Sequence, residues 1–548
     1  MCLSVQQAYA SLPESRDTDT ITRMSQDQSP QPTLRDRLTT SCDWVGRATR
    51  RRLAIDRRGL AAFRISIGVL LLVDLLRRTR MFEAFYTDAG VLPREALFSD
   101  YSSIYSLHAL SGEAWIQGLL FLVAGVFALA LVCGYHTRIA AVVSWLLLIS
   151  LHIRNPMILN AGDVLLRMLL FWSLFLPLGA RWSVDAYRSE PDTHHSTTLA
   201  SVATMAILLQ ILLMYVTNAI HKTRSDMWMG GEAVVHIFQA DHLTILLGNT
   251  LAGHTMLLEG FTYAWMGLIL LSPLLLLLTG IPRAAFTTLF VGMHLGMLVT
   301  LRIDLFPVVV VAGLLLFYPP VVWDWVATLA TRLGIAEHLR SGLERLQMTL
   351  PDTSMKPSFF GQQNERETSV RSAVSTRGRV FFATVIPWLI LVLVVLSNAE
   401  AVDYTEVPDP GDEVLDTIQS SQSWRMFAPN PTSTAQWLVV PGELADGSTV
   451  DALHEAEVDW DRPPNVDETY ETSRERKYIS NMRYAGNENH RSYFANHLCE
   501  RWNSEHETEL ESVTVYGMSD RSGPYDDEPD IAEFTLIEYD CSGEFIQN

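Results

Sequence analysis

Lysine is almost absent from this chain, in which only three of the 41 basic residues are lysines: Lys222, Lys356 and Lys477. Arginine keeps its proton in proteins, whereas a desolvated lysine can lose its proton and act as a base. Lys222 ends a hydrophobic segment that begins near residue 198. We therefore predict that Lys222 acts as a base. The alternative is an amine that snorkels from a helix end into water.

Cysteine is also sparse, and its spacing excludes the common metal and redox motifs. The five cysteines form no Cys-x-x-Cys pair, and the sequence contains neither a His-Glu-x-x-His motif nor a Gly-rich phosphate loop. We therefore predict no metal site. Cys499 and Cys541 are the only cysteines after residue 400, so they can pair if that region lies outside the cell; two free thiols are the alternative.

Basic residues become sparse after residue 400, where the excess of Asp and Glu is larger than the net charge of −20 for the whole chain. An acidic surface of this kind repels phosphates, which excludes a nucleic-acid partner. Acidic surfaces with arginine in place of lysine resemble those of proteins from halophilic archaea, in which carboxylates keep the surface hydrated. We therefore expect a haloarchaeal source.

Long apolar runs recur up to residue 400, and they predict nine membrane spans. These lie near residues 60–79, 114–134, 138–156, 163–182, 198–220, 257–280, 284–301, 304–323 and 380–398. Residues 231–256 are apolar but are interrupted by Gly, His and Asp, which favours an interfacial or re-entrant helix.

Arginine placement orients the predicted spans. Arginines cluster in the N-terminal tail, in the 324–379 loop and in short turns between spans. Basic loops stay on the cytoplasmic side of the cell membrane. Nine spans therefore put the N-terminus in the cytoplasm and the acidic C-terminal region outside the cell. The predicted domains are a basic, partly disordered tail (1–56), a transmembrane bundle (57–323), a cytoplasmic linker (324–379), a last span (380–398) and an extracytoplasmic domain (399–548).

The sequence after residue 400 changes to short alternating runs that predict β-strands, as in Gln436–Val440 and Ser512–Tyr516. Tyr493–Trp502 predicts a helix. The predicted fold class is an α-helical integral membrane bundle of about nine spans with a C-terminal extracytoplasmic α+β or β-sandwich-like domain.

Ionisable residues inside apolar spans are costly, so they mark either function or buried pairing. Arg64 and Asp74 interrupt the first span ten residues apart, and we expect them to pair with other helices or, for Arg64, to bind a ligand. Asn160 and Asp163 open the fourth span, where Asp163 can cap the helix and pair with Arg167.

His294 lies in the middle of a span among small residues that let helices approach closely. It is either a hydrogen-bonded histidine of the bundle or a group that carries a proton or binds a ligand. The nine-span topology also brings polar span ends together in an outward-facing chamber. The residues predicted to line this chamber are His152, Asn160, Asp163, His221, Lys222, Asp226, Arg302 and Asp304.

Several motifs occur in an order that is shared with a known family. They are Leu60-Ala-Ala-Phe-Arg64-Ile-Ser-Ile-Gly68, Tyr86-Thr-Asp-Ala-Gly90, His294, Ile303-Asp-Leu-Phe-Pro307 and Ser423-Trp-Arg-Met-Phe427. Through these motifs, residues 57–440 resemble the vitamin K-dependent γ-carboxylase family, in its microbial branch of HTTM-domain proteins.

The resemblance implies a quinone-linked oxygenase or epoxidase, or a carboxylase-like enzyme, with a lysine base. Lys222 matches the position of that base, and His294 is its expected partner. The base takes a proton from a reduced, menaquinone-like quinone, and molecular oxygen then attacks the deprotonated quinone. The strongly basic oxygenated quinone that forms removes a proton from a glutamate side chain, and the resulting carbanion captures carbon dioxide. The residues expected to bind the cofactor are Asn160, Asp163, His221, Asp226 and Arg64.

The chain departs from the animal members of that family. His221 stands where those enzymes have a second lysine, and residues 160–163 lack a clear match to their catalytic histidine. Quinone oxygenation is therefore better supported than protein carboxylation. The expected partners are the lipid bilayer, a quinone and a secreted or envelope protein substrate.

Two other functions stay open. The chain could be a non-enzymatic membrane protein whose outer domain binds an envelope component or partner. It could also be a transporter, although neither paired interrupted helices nor an inverted repeat is evident in the sequence.

Overall fold

A computed structural model describes residues 44, 46–101, 106–188, 196–334, 342, 381–431, 433–523 and 528–543. These residues form a helical bundle followed by a C-terminal domain with a β-sheet. Most of the tail and linker predicted from the sequence lies outside the described residues.

The helices of the first part are listed here with their bounds. They are α1 (Arg57–Arg78), α2 (Phe82–Tyr86), α3 (Arg94–Asp100), α4 (Ala114–Cys133), α5 (Thr137–Arg154), α6 (Ala161–Ser173), α7 (Val184–Arg188), α8 (Val202–Thr223), α9 (Asp226–Gly230), α10 (Ala233–Gln239), α11 (Leu247–Leu251), α12 (Thr255–Leu270), α13 (Leu274–Leu277), α14 (Gly280–Thr300), α15 (Phe306–Leu314), α16 (Pro320–Arg332) and α17 (Ile386–Glu400). Two short strands, β1 (Ile55–Asp56) and β2 (Thr198–Leu199), pair antiparallel and tie the start of α1 to the start of α8.

Six helices in the described residues are long and apolar enough to cross a membrane, or seven if one bent pair counts as a span. They correspond to α1, α4, α5, α8, α14 and α17, each of which falls on a predicted span. Nine spans are therefore not confirmed. The length and apolar composition of these helices are those of a membrane protein, and the helices are consistent with several crossings of the bilayer.

The three remaining predicted spans are short or broken for local reasons. Helix α6 has 13 residues and ends at Ser173, shortly before Pro177. Helix α12 ends at Leu270, and Pro273 follows. The pair Phe306–Phe317 and Pro320–Arg332 bends by 104° where two prolines interrupt the helix. Proline removes a backbone donor and clashes with the preceding turn, so an apolar run across it does not continue as one helix.

Capping residues fix where the two helices that matter most for the site begin. The Asn160 side chain accepts hydrogen bonds from Gly162 N and Asp163 N, and the Asp163 side chain accepts from Asn160 N. Ser201 and Thr204 form the same reciprocal arrangement at the start of α8. These boxes satisfy backbone donors that a helix start leaves free. The predicted capping role of Asp163 is confirmed.

The C-terminal domain contains three helices, α18 (Asp409–Thr417), α19 (Ser473–Arg483) and α20 (Asn489–Glu505), and one antiparallel sheet. Its strands are β3 (Ala435–Val439), β4 (Pro441–Leu444), β5 (Thr449–Asp451), β6 (Leu510–Asp520) and β7 (Ile531–Asp540). The long strand β6 pairs with β3, β4 and β7. A single sheet with helices against it is an α+β arrangement, not a sandwich of two sheets.

A disulfide joins α20 to the residue after β7. Cys499 and Cys541 are bonded, with their Cα atoms 5.5 Å apart. The predicted proximity of these two cysteines is confirmed, and Cys133 is the free cysteine among the described residues.

The core of the C-terminal domain is continuous with part of the bundle. Buried residues of the sheet and of α19, such as Trp437 and Tyr478, belong to one apolar cluster with Phe85 and Leu92 from the segment between α1 and α4. The C-terminal domain is therefore packed onto the bundle rather than attached by a linker alone.

Candidate functional site

A cavity of about 1220 Å³ lies at the junction of the bundle and the C-terminal domain. Its walls come from the start of α6, the end of α8, helices α9, α12 and α14, residues 421–427 and the first turns of α19. The lining is largely apolar, with a few polar groups that include Lys222, His294 and Asn160. Large apolar cavities with few polar groups are the usual form of a small-molecule site.

Lys222 lies in the last turn of α8 and is 2% exposed. Its Nζ lies 3.5 Å from the centre of the Trp228 ring and 5.9 Å from the centre of the Trp265 ring. Within the described part of the chain, its amine has neither an ion-pair partner nor a hydrogen-bond partner. The snorkelling alternative is therefore excluded, because the amine faces the cavity and aromatic rings instead of water.

The face of α8 that reaches Lys222 supplies two more polar groups. Tyr215, Asn218 and Lys222 follow at helical spacing and all line the cavity. The Tyr215 hydroxyl is buried and has no hydrogen-bond partner among the described residues. Sequence reasoning missed Tyr215 and Asn218, although their i, i+3, i+7 spacing with Lys222 was a readable signal.

His294 comes from the middle of α14 and is 1% exposed. Its Nδ1 lies 2.8 Å from the Phe290 carbonyl oxygen, and a carbonyl can only accept, so Nδ1 carries a hydrogen. In the neutral ring Nε2 is then the acceptor. The ring centre lies 5.9 Å from that of Tyr215 and 5.7 Å from that of Trp265, so the residues of α8, α12 and α14 meet at one site.

Two glycines of α14 lie two residues before and after His294. Gly292 and Gly296 line the cavity, and a Cβ added at either position would meet no atom within 4 Å. Larger side chains at these positions would project into open space and reduce it.

The segment 421–427 covers the cavity and is fixed by side chains of α8 and α9. Asn218 Nδ2 donates to the carbonyl oxygens of Trp424 and Met426, at 2.9 and 3.1 Å. Trp228 Nε1 donates to the Phe427 carbonyl oxygen at 2.8 Å. His221 Nε2 lies 3.1 Å from the Ser423 carbonyl oxygen. His221, predicted to bind the cofactor, is thus placed against the covering segment and not in the cavity lining.

Asp163 lies in a buried ionic cluster rather than in the cavity lining. Arg78 Nη2 donates to Asp163 at 2.7 Å, and Arg474 of α19 donates to the same carboxylate at 2.9 Å. Asp74 completes the cluster, at 2.7 Å from Arg78 and 2.6 Å from Arg474. The expected ion pair between Asp163 and Arg167 is not formed, because Arg167 donates to His152 Nδ1 at 3.1 Å instead.

The same cluster contains three groups that could bind a metal ion. Ligand atoms of Asp74, His152 and Asp163 all lie within 4.8 Å of one another. The guanidinium groups of Arg78 and Arg474 already occupy these carboxylates. Two fixed cations beside the ligand atoms would repel a third, so the donor set does not fit a metal ion.

Three further predicted residues lie at different places. Asn160 lines the cavity, and its Nδ2 donates to Asp304 at 3.3 Å. Asp226 is exposed at the start of α9, outside the lining. Arg64 also lies outside the lining, because its guanidinium donates to backbone carbonyls that include those of Val132 and Trp182. Arg64 therefore joins α1 to the loop after α6. This agrees with the expectation that Arg64 pairs with other parts of the bundle and not with the expectation that it binds a ligand.

Comparison with known families gives one match, and it covers the part of the chain that holds Lys222 and His294. A family model for the HTTM domain matches residues 53–325, and this membrane-associated family is related to the vitamin K-dependent carboxylases. No curated protein and no solved structure matches the chain. Residues 53–325 are therefore similar to the HTTM domain, and the helices that surround Lys222 all lie in this range.

Proposed function

We propose that this protein is a membrane-embedded, quinone-linked oxygenase in which Lys222 acts as the base. One observation carries the proposal: the Lys222 amine is buried between two tryptophan rings, faces a large cavity and has no carboxylate partner in the described residues. A lysine needed only for its charge would lie at the surface or beside an acid. This amine can instead exchange its proton with whatever fills the cavity.

The lining of the cavity fits a reduced, menaquinone-like quinone. The rings of Trp228 and Trp265 lie beside the amine, Tyr215 lines the same cavity, and all three offer faces to a flat ring. Leu289 and Val299 line the cavity and are 60% and 37% exposed, so other side chains do not close the cavity beside them. An apolar ligand dissolved in the bilayer could enter between these side chains.

The polar groups have distinct roles in this proposal. A bound hydroquinone would supply the electrons for a reaction with molecular oxygen. Lys222 would take a proton from a ligand hydroxyl, and the resulting ammonium would be stabilised by the face of the Trp228 ring. His294 would accept a hydrogen bond at Nε2, and the unpartnered Tyr215 hydroxyl would donate one. Carboxylation of a secreted or envelope protein would require a docking site for that protein in addition.

We also infer that the N-terminus is cytoplasmic and that the C-terminal domain is outside the cell. The clusters of arginine before residue 60 and in the 324–379 loop support this orientation. The Cys499–Cys541 disulfide supports it independently, because disulfides persist in oxidising compartments.

The test uses the full-length protein in lipid nanodiscs. Bound quinone is extracted and identified by mass spectrometry, and oxygen uptake is measured after addition of reduced menaquinone. Wild type should contain quinone and consume oxygen. Lys222→Arg keeps the charge but removes the base, so it should retain quinone and lose oxygen uptake by about 10²-fold or more, as expected for loss of a general base.

Thr223→Ala is the matched control, because Thr223 is exposed in the same turn of α8. It should retain both quinone and oxygen uptake. Normal oxygen uptake by Lys222→Arg would refute the role of Lys222 as a base. Wild type that binds quinone but consumes no oxygen would refute the oxygenase and favour a binding protein.

A further inference from the structure

One face of α19 brings positive charge from the C-terminal domain to the cavity. Ser473, Arg476 and Lys477 are separated by three and four residues, which puts them on the same side of the helix, and all three line the cavity. Lys222 lines the same cavity from α8. Both lysines of the described residues therefore meet one cavity, although they are 255 positions apart in the sequence.

Arg476 and Lys477 donate their side-chain hydrogen bonds to neutral oxygen atoms. Arg476 Nη2 donates to the Arg302 carbonyl oxygen at 3.3 Å, and its buried Nε has no partner. Lys477 Nζ donates to Asn481 Oδ1 at 3.1 Å. Across the described ranges, neither side chain forms an ion pair with a carboxylate. Burial and the Arg476 charge together lower the pKa of Lys477, as expected for adjacent cations without a counterion.

The nearest acidic group of the lining is already paired. Asp304 lines the cavity, but its carboxylate is 3.0 Å from Arg77 and 3.4 Å from Arg474. Its negative charge is therefore shared by two other guanidinium groups. The end of the cavity beside α19 keeps an excess of positive charge.

We propose that Ser473, Arg476 and Lys477 form an anion-binding subsite that holds the acidic headgroup, carboxylate or phosphate, of an amphiphilic ligand whose apolar part extends into the cavity. A quinone is neutral and leaves these two cations without a counterion. The inference therefore goes beyond the proposed function and does not depend on it.

The distribution of polarity along the cavity supports an amphiphile over a free anion. Beyond the α19 end, most of the lining is apolar and includes Leu251, Leu268 and Met297. Leu247 and Leu289 line the cavity and are more than half exposed, so other side chains do not close the cavity beside them, and an apolar chain would enter there. An acidic headgroup would then meet Arg476 and Lys477, with which it can form charge-assisted hydrogen bonds.

The test compares an acid with its neutral analogue in the full-length protein. Oleate and oleyl alcohol are titrated into protein held in phosphatidylcholine nanodiscs, and binding is followed by the fluorescence of the cavity tryptophans. Wild type should bind oleate at least tenfold more tightly than oleyl alcohol. Lys477→Gln and Arg476→Gln should each remove most of that preference while binding of oleyl alcohol stays unchanged, which also shows that the variants are folded.

Two further variants show whether the preference for oleate depends on a positive charge at the subsite or on the net charge of the protein. Lys477→Arg keeps a cation and should keep the preference for oleate. Arg491→Gln removes a charge from α20, outside the cavity lining, and should also keep it. Equal affinities of wild type for oleate and oleyl alcohol, or unchanged oleate binding in both glutamine variants, would overturn the proposal.

The source of the headgroup is tested with two more probes. Displacement of oleate by phosphatidylglycerol, in vesicles that also contain phosphatidylcholine, would support a membrane lipid as the ligand. Binding of inorganic phosphate together with no binding of either amphiphile would overturn the assignment of an amphiphile. None of these measurements involves Lys222 or oxygen uptake, so they stay informative if the oxygenase proposal fails.

Discussion

Replacement of Arg474 by methionine should release α19 from the bundle. The Arg474 guanidinium is 7% exposed and reaches from the C-terminal domain to Asp74 at 2.6 Å, Asp163 at 2.9 Å and Asp304 at 3.4 Å. Its Nη1 also donates to the Ile158 carbonyl oxygen at 3.3 Å. One side chain of the C-terminal domain thus meets three carboxylates of the helical bundle.

The expected cost follows from burial. Removal of one partner from a buried ion pair leaves an uncompensated charge and costs about 3–5 kcal/mol. Arg78 stays in place and neutralises Asp74 and Asp163 in part, which favours the lower end of this range. Because about 1.4 kcal/mol corresponds to a factor of ten, opening of α19 should become more frequent by roughly two to three orders of magnitude.

Hydrogen exchange of the full-length protein measures this opening. The backbone amides of α19 should exchange faster by that factor in Arg474→Met. Asn481→Ala removes the neutral hydrogen bond between α19 and the Met157 carbonyl oxygen, together with the bond that Asn481 accepts from Lys477 within α19, and it should cost only about 1–2 kcal/mol. Arg491→Met is the control for loss of charge from the domain.

A double variant shows whether the ionic contact itself is responsible. If the cost arises from carboxylates left without Arg474, the substitution should cost less in an Asp163→Asn background than in wild type. Unchanged exchange in α19 of Arg474→Met, or the same cost in both backgrounds, would refute the reasoning.

Two other predictions concern the C-terminal domain. The Cys499–Cys541 disulfide closes a separation of 42 residues, so replacement of both cysteines by alanine should destabilise the domain by about 4 kcal/mol in thermal unfolding, and Cys133→Ala should not. Protease added to the outer face of intact cells should cut the C-terminal domain and spare residues 324–379; the reverse pattern would mean that the orientation is inverted.

Local patterns in the sequence were sufficient for the elements that depend on neighbouring residues. Six long helices fall where apolar runs predicted spans, and the capping of α6 by Asn160 and Asp163 follows from their spacing. Helix α20 and strands β3 and β6 also fall on the predicted segments. These features need only hydrophobic period and capping chemistry, both of which are visible in short windows.

Contacts between distant segments could not be read in this way. Helical spacing predicted that Asp163 pairs with Arg167. Asp163 instead pairs with Arg474, which lies 311 positions away in the sequence. Arg474, Arg476 and Lys477 are close in sequence, yet nothing local indicates that Arg474 faces carboxylates while Arg476 and Lys477 face a cavity. The breaks in the apolar runs at Pro273 and Pro319 were visible, and hydropathy alone passed over them.

The two described lysines differ from two buried arginines of the ionic cluster in the kind of partner that they have. Arg78 and Arg474 are buried in fixed pairs with carboxylates, and a planar guanidinium with several donors suits such pairs. The two described lysines, Lys222 and Lys477, instead line the cavity and have no carboxylate partner in the described residues. An ammonium is a compact charge that can form new hydrogen bonds or give up its proton. In a chain that otherwise uses arginine, both described lysines thus face a space for a ligand, where Arg476 joins them.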